Sequence, residues 1–125
     1  MSFAITREAK GVYVKWSGKI TGEDFLRAVH VVNNSPDFEM YYYVISDAVG
    51  CEAIDLSAPC MENAIAGAIG AHVSNPKFVA AFVASDQAIA DVWLSIAKVA
   101  NDYMRTAVFG DIAEARNWAL TAPRN

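Results

Sequence analysis

The stretch Tyr41-Tyr42-Tyr43-Val44-Ile45-Ser46 decides the fold of this chain. It is an almost uninterrupted apolar and aromatic run, which is typical of a strand covered on both faces in a parallel sheet. A second run of the same kind extends from Phe78 to Ala84, after an intervening segment with helical spacing. Two buried strands separated by a helix predict a right-handed crossover and parallel pairing.

Upstream of these runs, the chain has the pattern of a β-hairpin. Phe3 to Glu8 and Val12 to Ser17 are alternating runs rich in β-branched and aromatic residues, and Ala9-Lys10-Gly11 separates them. In the second run, Val12, Val14 and Trp16 share one face. We therefore expect the first strand to lie antiparallel at an edge of the sheet.

Four segments carry apolar residues at helical spacing, and each follows a residue type that commonly caps a helix. The predicted helix starts are Thr21 (with Asp24 in a capping-box-like pair), Ser57, Ser85-Asp86 and Asp111. The predicted buried stripes are Phe25, Ala28, Val29 and Val32; Met61, Ala64, Ile65, Ala68, Ile69 and Val73; Ile89, Val92, Trp93, Ile96 and Ala100; and Ala115, Trp118 and Ala119. With a short strand from Thr106 to Phe109, the order is β-β-α-β-α-β-α-β-α. This order predicts one α/β domain over residues 1–125, with a mixed, mostly parallel sheet packed by helices.

Composition narrows the class of protein. The 125 residues are 54% hydrophobic and 19% charged, with a net charge of -4, which excludes a disordered chain and argues against binding to nucleic acid or anionic membranes. We expect no signal peptide and no membrane span, because no apolar run approaches about 18 residues. Cys51 and Cys60 lack metal-ligand spacing, so we expect reduced thiols, a cytoplasmic location, and neither metal nor cofactor. No nucleophile–base pair can be identified, so we expect no enzyme.

Three segments carry a resemblance to a known family: residues 14–25, residues 43–47 and residues 108–118. Together with the element order, they resemble the STAS-like domains of bacterial anti-sigma factor antagonists, and still more closely the SpoIIAA-like family of small bacterial proteins. The resemblance implies a non-enzymatic protein-interaction or regulatory module. The SpoIIAA-like family is also similar in fold to CRAL-TRIO lipid-binding domains, which implies the alternative of a small apolar ligand.

The resemblance also identifies a departure from the phospho-switched antagonists. In those proteins the strand ends in Asp, followed by a phosphorylatable Ser or Thr and, shortly after, by Gly. The corresponding run here is Asp47-Ala48-Val49-Gly50, in which neither intermediate residue carries a hydroxyl. Kinase-controlled switching at this position is therefore not expected.

In open α/β sheets, ligand sites lie beyond the carboxyl ends of the parallel strands. The candidate ligand or partner site consists of residues at or after such strand ends: Asp47, Ala48, Val49, Gly50, Ser57 and Ser85. The alternative is structural, because Ser57, Ser85 and Asp111 can simply cap helices and Asp47 can order its loop. His72 lies beside an apolar stripe and is expected to be a partly buried structural residue, and His30 is expected to lie on the surface.

The predicted helix from Cys60 to Val73 is unusually rich in small residues, and we expect it to be buried on more than one side. Glycine within a helix is unfavourable unless another backbone approaches closely. The candidate interface residues on this helix are Met61, Ala66, Gly67, Gly70 and Ala71. Three interpretations stay open: packing within the domain, a homodimer interface, or one wall of an apolar pocket.

Charge is unevenly distributed along the chain. From Ala28 through Pro76 there is no Lys or Arg, while six acidic residues occur: Asp37, Glu39, Asp47, Glu52, Asp55 and Glu62. Two interpretations stay open: chance in an acidic chain, or a surface whose acidic field steers a basic protein partner towards it.

Overall fold

The computed structural model describes residues 2–123. The elements in chain order are β1 (Phe3–Arg7), β2 (Gly11–Trp16), β3 (Lys19–Thr21), α1 (Gly22–Asn33), a 3-10 turn (Phe38–Met40), β4 (Tyr43–Asp47), β5 (Ala53–Asp55), α2 (Ala58–Ser74), β6 (Val79–Val83), α3 (Gln87–Ala100), β7 (Thr106–Phe109) and α4 (Ile112–Thr121). The predicted helices and main strands are confirmed, with boundaries that differ by one or two residues.

The main sheet has five strands in the order β1-β2-β4-β6-β7. β1 pairs with β2 antiparallel, and the other three pairs are parallel, as predicted. One row of the register runs through Val12, Val44, Ala80 and Thr106. Because the parallel strands are in step, their carboxyl ends meet at one edge of the sheet.

Two short strands were not predicted. β3 and β5 form a separate two-stranded parallel sheet, in which Ile20 pairs with Ile54. Each strand has three residues, which are too few to show the alternation that marks a strand in a sequence. Ile20 is nevertheless fully buried.

The main sheet is covered differently on its two faces. Helices α1, α2 and α3 contribute to the larger core cluster, together with Val12, Val14 and Trp16 of β2. The smaller cluster joins α4, through Ala115 and Ala119, to the opposite face of β4 and β6. All five residues of β6 are buried, which explains its continuous apolar sequence.

Helix α2 departs from the predicted stripe. Its buried residues are small ones: Cys60, Ala64, Ala68 and Ala71. The expected core residues Ile69 and Val73 are 38% and 76% exposed, and Met61 and Ile65 are only partly buried. The expectation that α2 is buried on more than one side was therefore wrong for this outward face. Apolar or small residues nearly surround the helix, so its periodicity could not select the buried side.

Candidate functional site

Asp47, at the end of β4, is the centre of a hydrogen-bonded cluster. It is 5% exposed, and its Oδ1 accepts a hydrogen bond from the backbone N–H of Val49 at 2.9 Å. Its Oδ2 accepts a hydrogen bond from the Tyr13 hydroxyl, and the Lys15 ammonium lies 3.5 Å from the same atom. This carboxylate therefore orders its own loop and connects β4 to β2. These hydrogen bonds agree with the structural interpretation of Asp47, which was the alternative to a ligand site.

The loop after Asp47 is tied to the next strand and its connection. Ala48 is fully buried, and its N–H donates to the carbonyl of Val83 at 2.9 Å. Gly50 has a φ of 85°, a conformation that favours glycine, and its N–H donates to the Ser85 hydroxyl at 3.3 Å. Ala48, directly after Asp47, is thus apolar and also inaccessible, whereas Val49 is 37% exposed.

The two candidate serines have different roles. Ser57 caps α2, since its Oγ accepts a hydrogen bond from the N–H of Cys60 at 3.2 Å. Ser85 was expected to share the cap of α3, but that prediction was wrong. Asp86 is the cap, accepting from the N–H of Ile89 at 3.2 Å, and Ser85 holds the neighbouring loop instead. Adjacent Ser and Asp both have capping propensity, so the sequence did not distinguish them.

A second polar cluster, which sequence reasoning missed, lies on the α4 face of the sheet. The Tyr43 hydroxyl donates to Glu8 Oε1 at 2.5 Å, and Arg116 of α4 pairs with the same oxygen. Burial and the hydrogen bond to Glu8 raise the pKa of Tyr43 to about 12. Burial and the hydrogen bond to Asp47 likewise raise the pKa of Tyr13 to about 12. The alternation along β2 does indicate that Tyr13 lies on the other face of the strand from Val12. No local pattern indicates that its hydroxyl bonds to Asp47.

An apolar cavity of about 80 Å³ lies between the main sheet and helices α1, α2 and α3. Seventeen of its twenty lining residues are apolar or glycine, and none is charged. Representative apolar lining residues are Val14, Phe25, Val44, Ala68, Ala80 and Ile96, and β7 contributes Thr106. The small buried side chains of α2 therefore leave space rather than a close-packed interior.

Of the three polar lining residues, two form hydrogen bonds through their side chains and one does not. The Thr106 hydroxyl donates to the carbonyl of Ala97 at 3.2 Å, and the Asn33 amide donates to the carbonyl of Gly67 at 3.2 Å. Ser46 is 7% exposed, and its side chain makes no hydrogen bond with any residue from 2 to 123.

Trp16, at the end of β2, lines the same cavity and is 1% exposed. Its Nε1 is buried with no hydrogen-bond partner among the described residues. The other fully buried tryptophan, Trp93, donates its Nε1–H to the carbonyl of Val83 at 3.2 Å. The ring of Trp16 is held between Phe3 and Phe25, at centroid distances of 5.2 and 6.1 Å.

An outer groove of about 660 Å³ runs between α1 and α2. Its lining includes four of the five candidate interface residues, namely Ala66, Gly67, Gly70 and Ala71, but not Met61. Of these, Gly67 and Ala71 also line the inner cavity. Helix α2 therefore lines the inner cavity on one side and the outer groove on the other.

The acidic stretch is partly neutralised within the chain. Three of its six acids pair with bases from the first 27 residues: Asp37 with Arg7 at 2.8 Å, Asp47 with Lys15 at 3.5 Å and Asp55 with Lys19 at 4.0 Å. The acids that form no ion pair within the described part of the chain are Glu39, Glu52 and Glu62. The acidic field is therefore weaker than the sequence indicates.

Cys51 and Cys60 are both free and buried, and burial raises the pKa of each thiol. His72 is half-buried and His30 is exposed, as expected. Over residues 2–123, no helix has the length and apolar character needed to cross a bilayer.

Comparison with solved structures identifies the architecture. The chain is similar to an uncharacterized protein of the DUF3478 family from Shewanella loihica PV-4, which has a SpoIIAA-like fold. The TM-score is 0.56 at 15% sequence identity, over 94% of this chain and 91% of that one. This chain has a SpoIIAA-like fold. No protein-family model and no curated protein matches its sequence. The SpoIIAA-like fold expected from the sequence is confirmed, and at this identity the likeness concerns the fold alone.

Proposed function

We propose that this SpoIIAA-like protein is a non-enzymatic binding module that takes up a small apolar molecule between its sheet and helices α1 to α3. The observation that carries the proposal is the uncharged, almost wholly apolar cavity. Native interiors are normally close-packed, and a void costs stability because its lining loses van der Waals partners. A ligand in the cavity restores those contacts.

Size restricts the ligand. The cavity volume of about 80 Å³ is roughly half that of an engineered 150 Å³ cavity that binds benzene. In the observed conformation it accepts a molecule smaller than benzene, and a five- or six-membered ring requires the lining side chains to move slightly apart. A longer apolar chain requires α1 and α2 to separate along the seam where Val29, Asn33, Gly67 and Ala71 line both the cavity and the groove.

The test is titration of the full chain with methylenecyclopentane and cyclopentanone, followed by nuclear magnetic resonance. Saturable shifts at methyl groups of the cavity lining, such as those of Val14 and Val44, support the proposal. Ala80→Val fills the cavity and should abolish the shifts. Its matched control is Ala107→Val, because Ala107 lies one residue beyond the cavity-lining Thr106 on β7 and is half-buried. Absence of binding of both probes to the native chain overturns the proposal.

A second candidate function, self-association as a protein-interaction module, is favoured by the outer groove. The only titratable side chain in its lining is that of His30. The chain carries a net charge of -4, so an uncharged surface is where two copies can approach with least repulsion. We propose a second copy of this chain as the occupant.

This second candidate is tested by light scattering during size-exclusion chromatography. A dimer that Ala66→Arg dissociates supports it, since Ala66 lies exposed in the groove. Ala88→Arg is the matched control, because Ala88 is an exposed alanine on α3 that does not line the groove. A monomeric native chain overturns self-association and leaves the cavity proposal unaffected.

A further inference from the structure

The proposed cavity function leaves open which chemical class of ligand the cavity takes. We infer that the ligand is an uncharged molecule with one hydrogen-bond acceptor, such as a small ketone, whose oxygen accepts from the indole N–H of Trp16. The inference rests on the proposed function, because it concerns the same cavity.

The unpartnered donor indicates the acceptor. Trp16 lines the cavity, is 1% exposed, and its Nε1 has no partner within residues 2–123. Burial of a donor without a partner is costly, and most buried polar groups in native proteins are paired. Trp93, equally buried, follows that rule through the carbonyl of Val83. Nε1 has no accessible surface in this conformation, so a ligand oxygen reaches it only when the neighbouring rings shift, and the resulting hydrogen bond would remove the exception.

The lining also determines the charge of the ligand. No Lys, Arg or His lines the cavity, so a carboxylate there would be buried without a counter-ion. Lys15, between Val14 and Trp16 on β2, bonds to the carbonyl of Val49 at 2.8 Å on the opposite face of the strand. Ser46 adds a buried hydroxyl, which can donate to or accept from a neutral oxygen. Neutral molecules with a carbonyl, ester or ether oxygen match these groups, whereas fatty-acid anions do not.

The test compares three probes of similar size on the native chain: cyclopentanone, its hydrocarbon counterpart methylenecyclopentane, and the anion cyclobutanecarboxylate. A single neutral hydrogen bond predicts that the ketone binds about fivefold more tightly than the hydrocarbon. The anion should not bind measurably. The Trp16 indole N–H resonance, assigned by its disappearance in Trp16→Phe, should move downfield with the ketone only.

The variants separate the hydrogen bond from the shape of the cavity. In Trp16→Phe, the preference for ketone over hydrocarbon should disappear. In Trp93→Phe, the preference should persist, since Trp93 does not line the cavity. If ketone and hydrocarbon bind the native chain equally, or if the anion binds as well as the ketone, the inference is wrong and the proposed cavity function stands. If neither neutral probe binds, both fail. The comparison on the native chain needs no variant, so a poorly folded Trp16→Phe leaves the test decisive.

Discussion

The side-chain amide of Asn33 on α1 donates a hydrogen bond to the backbone carbonyl of Gly67 on α2, at 3.2 Å. Both residues line the inner cavity and the outer groove, so this bond lies in the layer that separates the two spaces. A Cβ added at Gly67 would lie 3.1 Å from Cγ1 of Val29, which also lines both spaces. The close approach of α1 and α2 therefore explains one of the two glycines in the middle of α2.

The two glycines of α2 should respond differently to replacement by alanine. Gly67→Ala forces Val29 to move, whereas a Cβ at Gly70 has no neighbour within 4 Å. Because alanine favours a helix, we expect Gly70→Ala to raise the free energy of unfolding by about 0.5–1 kcal/mol. We expect Gly67→Ala to be less stable than Gly70→Ala by about 1 kcal/mol. Urea denaturation of both variants measures the difference, and equal stability would show that α1 and α2 adjust without strain.

The arrangement of the sheet could be predicted, and the reason is physical. Continuous apolar runs such as Val79–Val83 are buried on both faces and are separated by helices, which leaves few topologies. The side chosen by α2 could not be predicted, because Ile69 and Ala68 are both apolar and only packing space decides which one is buried. The cavity likewise results from small residues on separate elements, such as Ala68 and Ala80, that share no local pattern.

The candidate site was predicted in part. Asp47 and Gly50 could be identified because Asp and Gly are typical of an ordered turn, and both residues order the loop. The partners Tyr13 and Ser85 come from distant strands and connections, so only the sheet register brings them to that turn. Whether Trp16 has a partner depends on tertiary structure, and no sequence pattern reports it.

Replacing each buried tryptophan by phenylalanine should distinguish an indole N–H that has no hydrogen-bond partner from one that has a partner. Both changes remove a similar volume, but Trp16→Phe also removes an unpartnered N–H, whereas Trp93→Phe breaks a hydrogen bond to Val83. We expect Trp93→Phe to be the less stable variant by about 2 kcal/mol in the absence of ligand. Thermal unfolding of the two variants measures the difference in stability. The reverse order would mean that the Trp16 N–H is satisfied in solution.

The hydrogen bond from Tyr13 to Asp47 should contribute to stability. Tyr13→Phe leaves the nearly buried carboxylate with one donor fewer, and we expect a loss of about 1–3 kcal/mol. Tyr103→Phe is the control, because Tyr103 is 40% exposed and should change stability little. Chemical denaturation at neutral pH measures both. Equal stability of the two variants would contradict a structural role for this bond.

Alkaline pH should destabilise the fold through two tyrosines. The pKa of Tyr13 and that of Tyr43 are raised from 10.0 to about 12, by burial first and by hydrogen bonds to carboxylates second. The folded state holds these protons more tightly than the unfolded state, so the stabilisation is fully present below pH 10 and is lost as the pH rises towards 12. Tyrosinate absorbance should therefore show two tyrosines that ionise late, one absent from Tyr13→Phe and the other from Tyr43→Phe. Ionisation of both near pH 10 in the folded chain would contradict the hydrogen bonds to Asp47 and Glu8.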